Sequence, residues 1–366
     1  MKYKKIIYFV TNGFSKRDYE RYGLENFYNR GYSIEVWNFS TFMFKKISFE
    51  SSYSSLTFKL KDINTKKDFI FLSKTLTEDV FVINLLFLNV KTYFIYKKLK
   101  YNNIKFCETS LGSIPYCSDS AVKKKISFLK IYNFLFNVDI SPIFYIVDGE
   151  KNAKLFNNQK ILYAHSRDYD LFLKSKNNLK KCISDSIVFL DVNLVEHSDF
   201  KLLDIRNKVT KKNYYSALKK YFYELKKVTG KNIVIAAHPR SDYFELKKIF
   251  RDFTVIQNNT LEVVYQSSLI VSHDTTAISF VVLLNKPIQF ITTTELRNSG
   301  DKNTECMANY FNKNVINIDD KFSFNKDKAY QINIEKYNQY IRDYIKVDTS
   351  PDKLLWDICI DRIEKS

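Results

Sequence analysis

The feature that most constrains the fold is an alternation of short apolar runs with helix-like patterns, which continues along almost all 366 residues. In the first half, the runs Lys5–Val10, Ile34–Phe39, Phe69–Leu72 and Val80–Leu86 have the length and the β-branched or aromatic content of buried strands. Periodic stretches such as Arg17–Asn29 separate them. Because strands that alternate with helices form parallel sheets with crossover connections, the sequence predicts an α/β fold.

The second half repeats this scheme with clearer boundaries. A helix is predicted from Tyr214 to Val228, because apolar residues recur there at 3.6-residue spacing, and Gly230 follows where a helix commonly ends. Strands are predicted at Ile187–Leu190, Ile233–Ala237, Phe253–Ile256, Leu269–Ser272 and Ile288–Ile291. The connections between them are short, as expected in a doubly wound domain.

A chain of this length exceeds the usual size of one hydrophobic core, so two domains are expected. A Lys-, Asn- and Ser-rich stretch between Lys174 and Asp185 interrupts the pattern and marks the boundary. We therefore predict two Rossmann-like parallel-sheet domains, at 1–180 and 181–330, that face each other across a cleft. The last part, 331–366, is predicted to form amphipathic helices that pack back on the domains.

The charge of the chain is strongly positive. It carries 58 Lys and Arg against 40 Asp and Glu, a formal charge of +18 at pH 7, which predicts an anionic partner. Nucleic acid is not favoured, because no recognised nucleic-acid-binding motif is present and the Lys residues are spread along the chain. An anionic membrane surface, phosphorylated donors and lipid-linked acceptors account for the charge equally well.

Cysteine usage and hydropathy bear on the compartment. The five Cys residues are scattered and include no C-x-x-C pair, so we expect neither a disulfide framework nor a zinc site, and a reducing compartment fits. The apolar run Ile6–Val10 is too short for the core of a signal peptide, and Val80–Val90 is too short to span a membrane. These features predict a cytoplasmic protein, either free or peripheral at the inner face of the membrane.

One segment places a His and an Arg directly after a buried strand. His238 and Arg240 follow the predicted strand Ile233–Ala237, and Pro239 between them forces the chain to leave the sheet. Open α/β sheets bind ligands at the carboxyl ends of their strands. There Arg240 can hold a phosphate with its fork of donors, and His238 can donate a proton to a departing phosphate. The alternative interpretation is a structural His beside a surface Arg.

A second polar segment, Ser-His-Asp-Thr-Thr at 272–276, ends the predicted strand Leu269–Ser272 and precedes a helix predicted from Thr276 to Leu284. Asp274 or Thr275 is predicted as the N-cap, and the N–H groups of the first turn with the Thr hydroxyls would form an anion site. An ordinary helix cap is the competing interpretation. Because this segment lies in the same predicted sheet as His238, we expect both to converge on one ligand.

The His238-Pro239 motif and the pair Thr275-Thr276 resemble the C-terminal half of GT-B glycosyltransferases of capsule, lipooligosaccharide and teichoic-acid synthesis, and the sialyltransferase-like proteins most closely. Those families carry a His-Pro motif and a later Ser/Thr pair that together hold the donor phosphate. The resemblance implies a glycosyltransferase that moves a sugar from a CMP-nonulosonic acid or a UDP-sugar to a growing surface glycan. It also implies that 181–330 binds the nucleotide sugar and that 1–180 binds the glycan or lipid-linked acceptor. The implied donor-phosphate residues are His238, Arg240, Ser272, His273, Asp274, Thr275 and Thr276.

On the acceptor side, transfer with inversion needs a group that takes the proton of the acceptor hydroxyl. The catalytic candidates are His238, Asp18 and Asp168. Further candidates on the acceptor side are Gly13, Arg17, Asp148, His165 and His197. For Asp148 a plain turn is the competing interpretation, and for Asp168 it is the start of a helix.

No Walker A loop, G-x-G-x-x-G or H-E-x-x-H motif is present. Cationic side chains and a helix N-terminus can neutralise a leaving diphosphate in place of a metal, so neither a metal nor a cofactor is expected. Two alternatives stay open on the same fold: transfer of a polyol phosphate from CDP-glycerol, and 2-epimerisation of a UDP-sugar. A third is a non-catalytic basic scaffold of a polysaccharide assembly complex, in which His238 would be dispensable.

Overall fold

The computed structural model of the protein describes residues 2–44, 53–116, 140–156, 160–179, 185–196 and 209–366. These residues form two units. The first consists of the described parts of 1–111, 119–167 and 346–366, and the second of the described parts of 112–118 and 168–345. Each unit contains one parallel β-sheet with helices on both faces, which confirms the predicted pair of Rossmann-like domains.

The first unit is built on a seven-stranded sheet with the order β3-β2-β1-β4-β5-β6-β7. Its strands are β1 Lys5–Val10, β2 Ser33–Asn38, β3 Lys59–Asp62, β4 Val80–Asn84, β5 Lys105–Ser110, β6 Phe144–Val147 and β7 Ile161–Tyr163. Its helices are α1 Lys16–Arg21, α2 Leu24–Asn29, α3 Ser40–Met43, α4 Lys66–Leu72, α5 Tyr93–Tyr101, Glu150–Ala153 and Leu355–Glu364. The direction of winding reverses between β1 and β4, which is the switch point of this sheet.

Side chains of β1 alternate between the two cores of the first unit. Ile6, Tyr8 and Val10 face a cluster shared with α1, α2 and the helix Leu355–Glu364, whereas Ile7 and Phe9 face a cluster shared with α4 and α5. This alternation follows from the two-residue period of a strand. The sheet is therefore covered by helices on both faces, as a parallel sheet requires.

Residues 17–29 were predicted as one helix but form two. The break occurs at Gly23, which adopts a φ of 61° that favours glycine. A Cβ atom at Gly23 would lie 2.2 Å from Cδ1 of Trp356, so the backbone approaches that ring closely. The Trp356 indole N–H donates to the Arg21 carbonyl at 2.9 Å, which fixes the helix Leu355–Glu364 against the turn.

Two other predicted elements of the first unit differ from the structure. Phe69–Leu72 was predicted as a strand, but it is the second half of α4, whose N-terminus is a capping box between Thr65 and Asp68. A short apolar run cannot by itself distinguish a strand from a buried helix turn. The edge strand Lys59–Asp62 was missed, because its charged sequence lacks an apolar face.

The second unit contains a six-stranded sheet with the order β10-β9-β8-β11-β12-β13. Its strands are β8 Ser186–Leu190, β9 Ile233–Ala237, β10 Thr254–Gln257, β11 Ser267–Ser272, β12 Ile288–Thr292 and β13 Val315–Asn317. Its helices are Arg167–Ser175, Lys211–Thr229, Tyr243–Ile249, Thr260–Gln266, Ile278–Leu283, Thr294–Asn298, Asn303–Tyr310, Lys326–Tyr330 and Ile334–Tyr340, the last continued by a π-helical turn, Ile341–Ile345.

The long helix Lys211–Thr229 confirms the periodicity argument. Its buried residues recur at 3.6-residue spacing along one face, as predicted, and it ends at Gly230, whose φ is 69°. The buried set is Tyr214, Leu218, Tyr221, Phe222 and Leu225. The helix packs on one face of the sheet, and the helices around Ile278–Leu283 pack on the other.

The chain leaves the first unit after Arg167, whereas the sequence placed the boundary between Lys174 and Asp185. The reason is that Tyr169 and Phe172 of the helix Arg167–Ser175 pack on a core of the second unit. The C-terminal part is also divided between the units, because Tyr337, Tyr340 and Ile345 join that same core while Leu355–Glu364 joins the first unit.

Cys107 and Cys359 are free and buried, whereas Cys306 is disulfide-bonded, a bond that the expectation of no disulfide framework did not foresee. Among the described residues, no helix has both the length and the apolar composition needed to cross a lipid bilayer.

Candidate functional site

The carboxyl ends of three neighbouring strands meet at the switch point of the second unit. The strand β8 lies between β9 and β11, and the winding direction reverses between β8 and β11. Leu190 pairs with Ala236 on one side and with Ser272 on the other, so these three residues form one row across the sheet. His238 and Asp274 each lie two residues beyond that row. Two strand spacings separate their strands, a distance of roughly 10 Å.

The His238 ring is oriented by the backbone of its own turn. His238 is half-buried, and its Nδ1 accepts a hydrogen bond from the Arg240 N–H at 3.1 Å. In the neutral imidazole the proton therefore resides on Nε2, which makes that nitrogen a donor. Gln257, the last residue of β10, also fixes the turn, because its amide nitrogen donates to the carbonyls of His238 and Ser241 at 3.1 and 2.9 Å. Arg240 is exposed at the end of the turn.

A carboxylate that the sequence argument did not select anchors this turn to the sheet. Asp191, which follows β8, is only 7% exposed. Its Oδ2 accepts from the His238 N–H at 3.1 Å and from the Ser241 hydroxyl at 2.8 Å, and its Oδ1 accepts from the Asn193 N–H at 3.0 Å. The available signal was its position directly after a buried strand, in the same sheet edge as His238.

The segment 272–276 differs from the prediction in two respects. The helix begins at Ile278 with Ala277 as its N-cap, so neither Asp274 nor Thr275 caps it. His273 is completely buried, and its Nε2 shares a hydrogen bond of 3.0 Å with the Tyr214 hydroxyl. Burial lowers the pKa of His273 to about 4, so this ring is neutral at pH 7 and supplies no positive charge to a phosphate.

The other residues of that segment occupy different positions. Ser272 is completely buried, and Asp274 accepts a hydrogen bond from the Thr304 hydroxyl at 2.7 Å. The Thr275 hydroxyl accepts from the Ala277 N–H at 3.3 Å, and Thr276 is exposed. Within this segment, Thr276 is thus exposed, Asp274 and Thr275 are half-buried, and Ser272 and His273 are buried.

In the first unit, the predicted acceptor-side residues make local structural contacts. The Asp18 carboxylate belongs to a capping box at the start of α1 and accepts from the Ser15 N–H and hydroxyl at 3.0 and 2.6 Å. Gly13 has a φ of 69° and donates its N–H to the Ser40 hydroxyl at 2.6 Å. Arg17 is exposed on α1.

Two further candidates, Asp148 and His165, lie in the first unit and are buried. Asp148 is fully buried and accepts from the Gly149 N–H at 2.9 Å and from the Asn152 amide at 2.6 Å, as a turn residue does. His165 is also fully buried, with Nδ1 3.0 Å from the Ser166 carbonyl and Nε2 2.8 Å from the Lys353 carbonyl. His197 lies outside the described residues.

Asp168 lies in the first turn of the helix Arg167–Ser175, which joins the second unit rather than the first. With Asp170 it forms a D-x-D spacing, but Asp170 is paired with Lys174 at 3.3 Å. In the described parts of the chain, no three His, Cys, Asp or Glu side chains are grouped so that they could hold a metal ion. Metal independence stays a prediction.

A surface depression of the described chain lies at the opposite edge of the second sheet, where β8, β9 and β10 begin. It is lined by Lys231, which is paired with Asp185, and by the loop at Gly230. We place the candidate site at the carboxyl edge instead, because the turn at 238–241 is held there by the buried carboxylate of Asp191, which follows β8 at the switch point.

Comparison with known proteins supports the fold. No protein-family model matches the chain, and no curated protein matches it. Among solved structures, the wall teichoic acid polymerase TagF with CDPG is similar over 99% of this chain and 89% of its own, with a TM-score of 0.51 and 12% identity. The UDP-GlcNAc 2-epimerase from Neisseria meningitidis matches over 99% of this chain and 100% of its own, with a TM-score of 0.49 and 12% identity. MurG from Acinetobacter baumannii matches with the same coverages, a TM-score of 0.48 and 7% identity.

The likeness to TagF, together with the two parallel sheets of this chain, shows that the chain has the GT-B fold. At identities of 7 to 12%, a likeness in structure shows the fold alone and not the activity. The narrower resemblance to sialyltransferase-like proteins is not supported by these neighbours and stays a prediction.

Proposed function

We propose that the protein is a glycosyltransferase that binds a nucleotide-activated sugar at the carboxyl edge of its second sheet. The observation that carries this proposal is the turn His238–Arg240, which Asp191 and Gln257 hold at the switch point. An exposed guanidinium and an imidazole Nε2–H on one rigid turn suit the phosphate of a nucleotide. Thr275 and Thr276 follow β11, two strand spacings from the strand that ends at this turn, and we assign their hydroxyls as further donors to the same nucleotide.

The chemistry follows from the charge that develops on the leaving group. The acceptor oxygen attacks the anomeric carbon, the bond from that carbon to the phosphate oxygen breaks, and the electron pair remains on the nucleotide phosphate. His238 stabilises this negative charge with a donor that its contact to the Arg240 N–H orients before the reaction begins, and Arg240 adds a charged donor. The proton of the acceptor hydroxyl passes to a base, for which the half-buried Asp18 is the candidate in the first unit.

The donor nucleotide is the first property to test. Purified protein is incubated with CMP, CDP, UDP and their sugar derivatives, and the melting temperature is followed, since a ligand of the folded state raises it. We expect stabilisation by at least one pyrimidine nucleotide, with CMP-nonulosonic acid and UDP-hexose as the leading sugar donors. Stabilisation by none of them would contradict the proposal.

Two substitutions of His238 test the roles of its two ring nitrogens separately. His238→Asn keeps an acceptor near the Nδ1 position for the Arg240 N–H but removes the distal donor, whereas His238→Gln keeps a distal donor and loses the acceptor. If Nε2 contacts the phosphate, His238→Gln should retain more nucleotide affinity than His238→Asn at equal stability. The scaffold alternative expects neither change to alter function.

A second candidate function is transfer of a polyol phosphate from a CDP-activated donor. It is favoured by one specific finding, the likeness to TagF with CDPG at a TM-score of 0.51. The same turn would then hold the diphosphate while the acceptor attacks phosphorus instead of carbon. Product analysis separates the two by the bond formed on the acceptor, which is a phosphodiester after phosphotransfer and a glycosidic bond after glycosyl transfer. CMP release does not separate them, because a CDP-polyol and a CMP-nonulosonic acid both leave CMP.

A further inference from the structure

Beyond the proposed activity, and independently of it, the structure contains a surface suited to an anionic lipid bilayer. We propose that the outer face of α4 and α5 in the first unit, with the loop that precedes α5, binds the headgroup region of an anionic membrane. We refer to this surface as the α4–α5 face. Its large exposed apolar side chains are Ile70, Phe71, Phe87, Val90 and Tyr101.

These apolar side chains are concentrated rather than scattered. The described chain has thirteen exposed large hydrophobic residues, and five of them fall within 70–101. Phe71, Phe87, Val90 and Tyr101 are between 66% and 85% exposed. Isolated exposed hydrophobic residues are normal, but a group of this kind marks an interaction surface.

The two helices lie side by side along their length. The rings of Phe69 in α4 and Phe94 in α5 are 5.5 Å apart, and Lys66 Nζ lies 4.9 Å from the Phe94 ring. At the other end, the Asn102 amide donates to the Ser73 carbonyl at 3.3 Å. Because both helices contribute to the same core cluster on one face of the sheet, their outer sides are exposed next to each other.

The loop before α5 is held firmly. The Thr92 hydroxyl donates to the Phe87 carbonyl at 2.6 Å, and the Asn89 side chain accepts from the N–H groups of Lys91 and Thr92 at 2.8 and 3.2 Å. Val90 lies between these anchored residues and is 71% exposed. Its exposure is therefore built into the turn.

The charge of this face selects an anionic partner. Residues 66–101 contain seven Lys and three acidic residues, Asp68, Glu78 and Asp79, and no acidic residue occurs from Val80 to Cys107. Asp68 is engaged in the capping box of α4. The Lys residues are Lys66, Lys67, Lys74, Lys91, Lys97, Lys98 and Lys100.

Apolar side chains flanked by Lys are the composition of surfaces that lie in the membrane interface. Lys stems can extend along apolar surface while their ammonium groups reach the headgroups, and a Tyr such as Tyr101 presents a ring with a polar tip. A nucleic acid would match the charge but leave the exposed Phe and Val side chains without a role. A bilayer uses both features.

The test is cosedimentation of the full chain with vesicles of phosphatidylcholine, with and without phosphatidylglycerol. We expect binding to the anionic vesicles only, weakened by salt because exposed charges are screened. Lys97→Glu with Lys98→Glu should reduce partitioning roughly tenfold or more. Phe71→Ser with Val90→Ser should reduce it several-fold, because apolar insertion contributes to interfacial binding.

The second unit offers a matched control. Phe244 is 82% exposed, and Lys247 and Lys248 follow it on the helix Tyr243–Ile249. Phe244→Ser and the pair Lys247→Glu with Lys248→Glu should leave vesicle binding unchanged, and all variants should keep the melting temperature of the original protein. The proposal is overturned if the control changes reduce binding as much as the α4–α5 changes. It is also overturned if Phe71→Ser with Val90→Ser has no effect, since binding would then be electrostatic only, as to RNA or any polyanion.

Discussion

The carboxyl edges of the two sheets carry similar polar residues but use them differently. In the first unit, Asp148 and His165 are fully buried and their polar atoms bond to the neighbouring backbone and side chains. In the second unit, the buried carboxylate of Asp191 holds a turn on which Arg240 is exposed. A polar residue after a strand therefore indicates a ligand site only when its contacts support another group that faces outward.

The first unit nevertheless contains a polar cluster beside its switch point that sequence reasoning missed. Glu108 on β5 is half-buried and accepts from the Tyr96 hydroxyl at 2.6 Å and from the Asn84 amide at 3.3 Å. Asn84 ends β4. Burial, followed by the charge of Glu108, raises the pKa of Tyr96, so this hydroxyl stays protonated and donates.

The largest expected effect tests the anchor of the second unit. Asp191→Ala removes a charged acceptor from three donors, so the free energy of unfolding should fall by about 4 kcal/mol, and nucleotide affinity should fall at least tenfold. Urea unfolding and nucleotide titration measure the two effects. Asp191→Asn keeps the shape and one acceptor. Its stability and its nucleotide affinity should therefore lie between those of the original protein and those of Asp191→Ala. Nucleotide affinity unchanged in Asp191→Ala would show that the turn does not need this anchor.

The next effect concerns the difference between two His residues of the second unit. Because burial lowers the pKa of His273 from 6.5 to about 4, the unfolded chain binds a proton below pH 6.5 that the folded protein does not. The contribution of the buried, neutral His273 to the free energy of unfolding is therefore fully present above about pH 6.5 and is lost as the pH falls toward 4. A shift of this size corresponds to about 3 kcal/mol.

His273→Gln removes this titration and keeps a polar group near the Tyr214 hydroxyl. Urea unfolding at neutral and acidic pH should show a smaller loss of stability on acidification in the variant than in the original protein. Other groups titrate equally in both, so the difference between the two pH profiles isolates His273. Parallel profiles would contradict the assignment of this ring as a buried neutral group.

The smallest effect is expected in the first unit. Asp18→Ala removes the capping box of α1 and should cost about 1 kcal/mol of stability, with nucleotide affinity unchanged. Asp18→Asn distinguishes the capping role of this residue from its proposed role as a base. Its side chain keeps the shape and an acceptor for the capping box but cannot take a proton. Loss of turnover in Asp18→Asn at unchanged stability would support the proposed base, and full turnover would exclude it.

The sequence predicted the elements whose pattern is long and regular. The face of the helix Lys211–Thr229 and the strand Ile233–Ala237 agree with prediction, because many residues report the same period. The prediction of a strand at Phe69–Leu72 was wrong because so short an apolar run does not distinguish the period of a strand from that of a helix. The Gly23 break was missed because it depends on Trp356, which is more than three hundred residues away in the chain.

The candidate site could be predicted in part. Strand ends and the motif at His238–Arg240 are local signals, so the sequence identified them. The burial of His273 against Tyr214 and the reach of Asp191 to Ser241 depend on the order of strands in the sheet, which the sequence alone does not specify. The cap at Ala277 depends on how the turn after β11 folds.

The central claim is that the turn at 238–240 binds the phosphate of a nucleotide. Isothermal titration of the stabilising nucleotide against Arg240→Ala and Arg251→Ala tests it most directly, because both residues are exposed Arg side chains of the second unit. We predict affinity lower by roughly tenfold or more for Arg240→Ala, as expected for loss of a charge-assisted contact, and unchanged affinity for Arg251→Ala. Equal affinity of the two variants and the original protein would contradict the account.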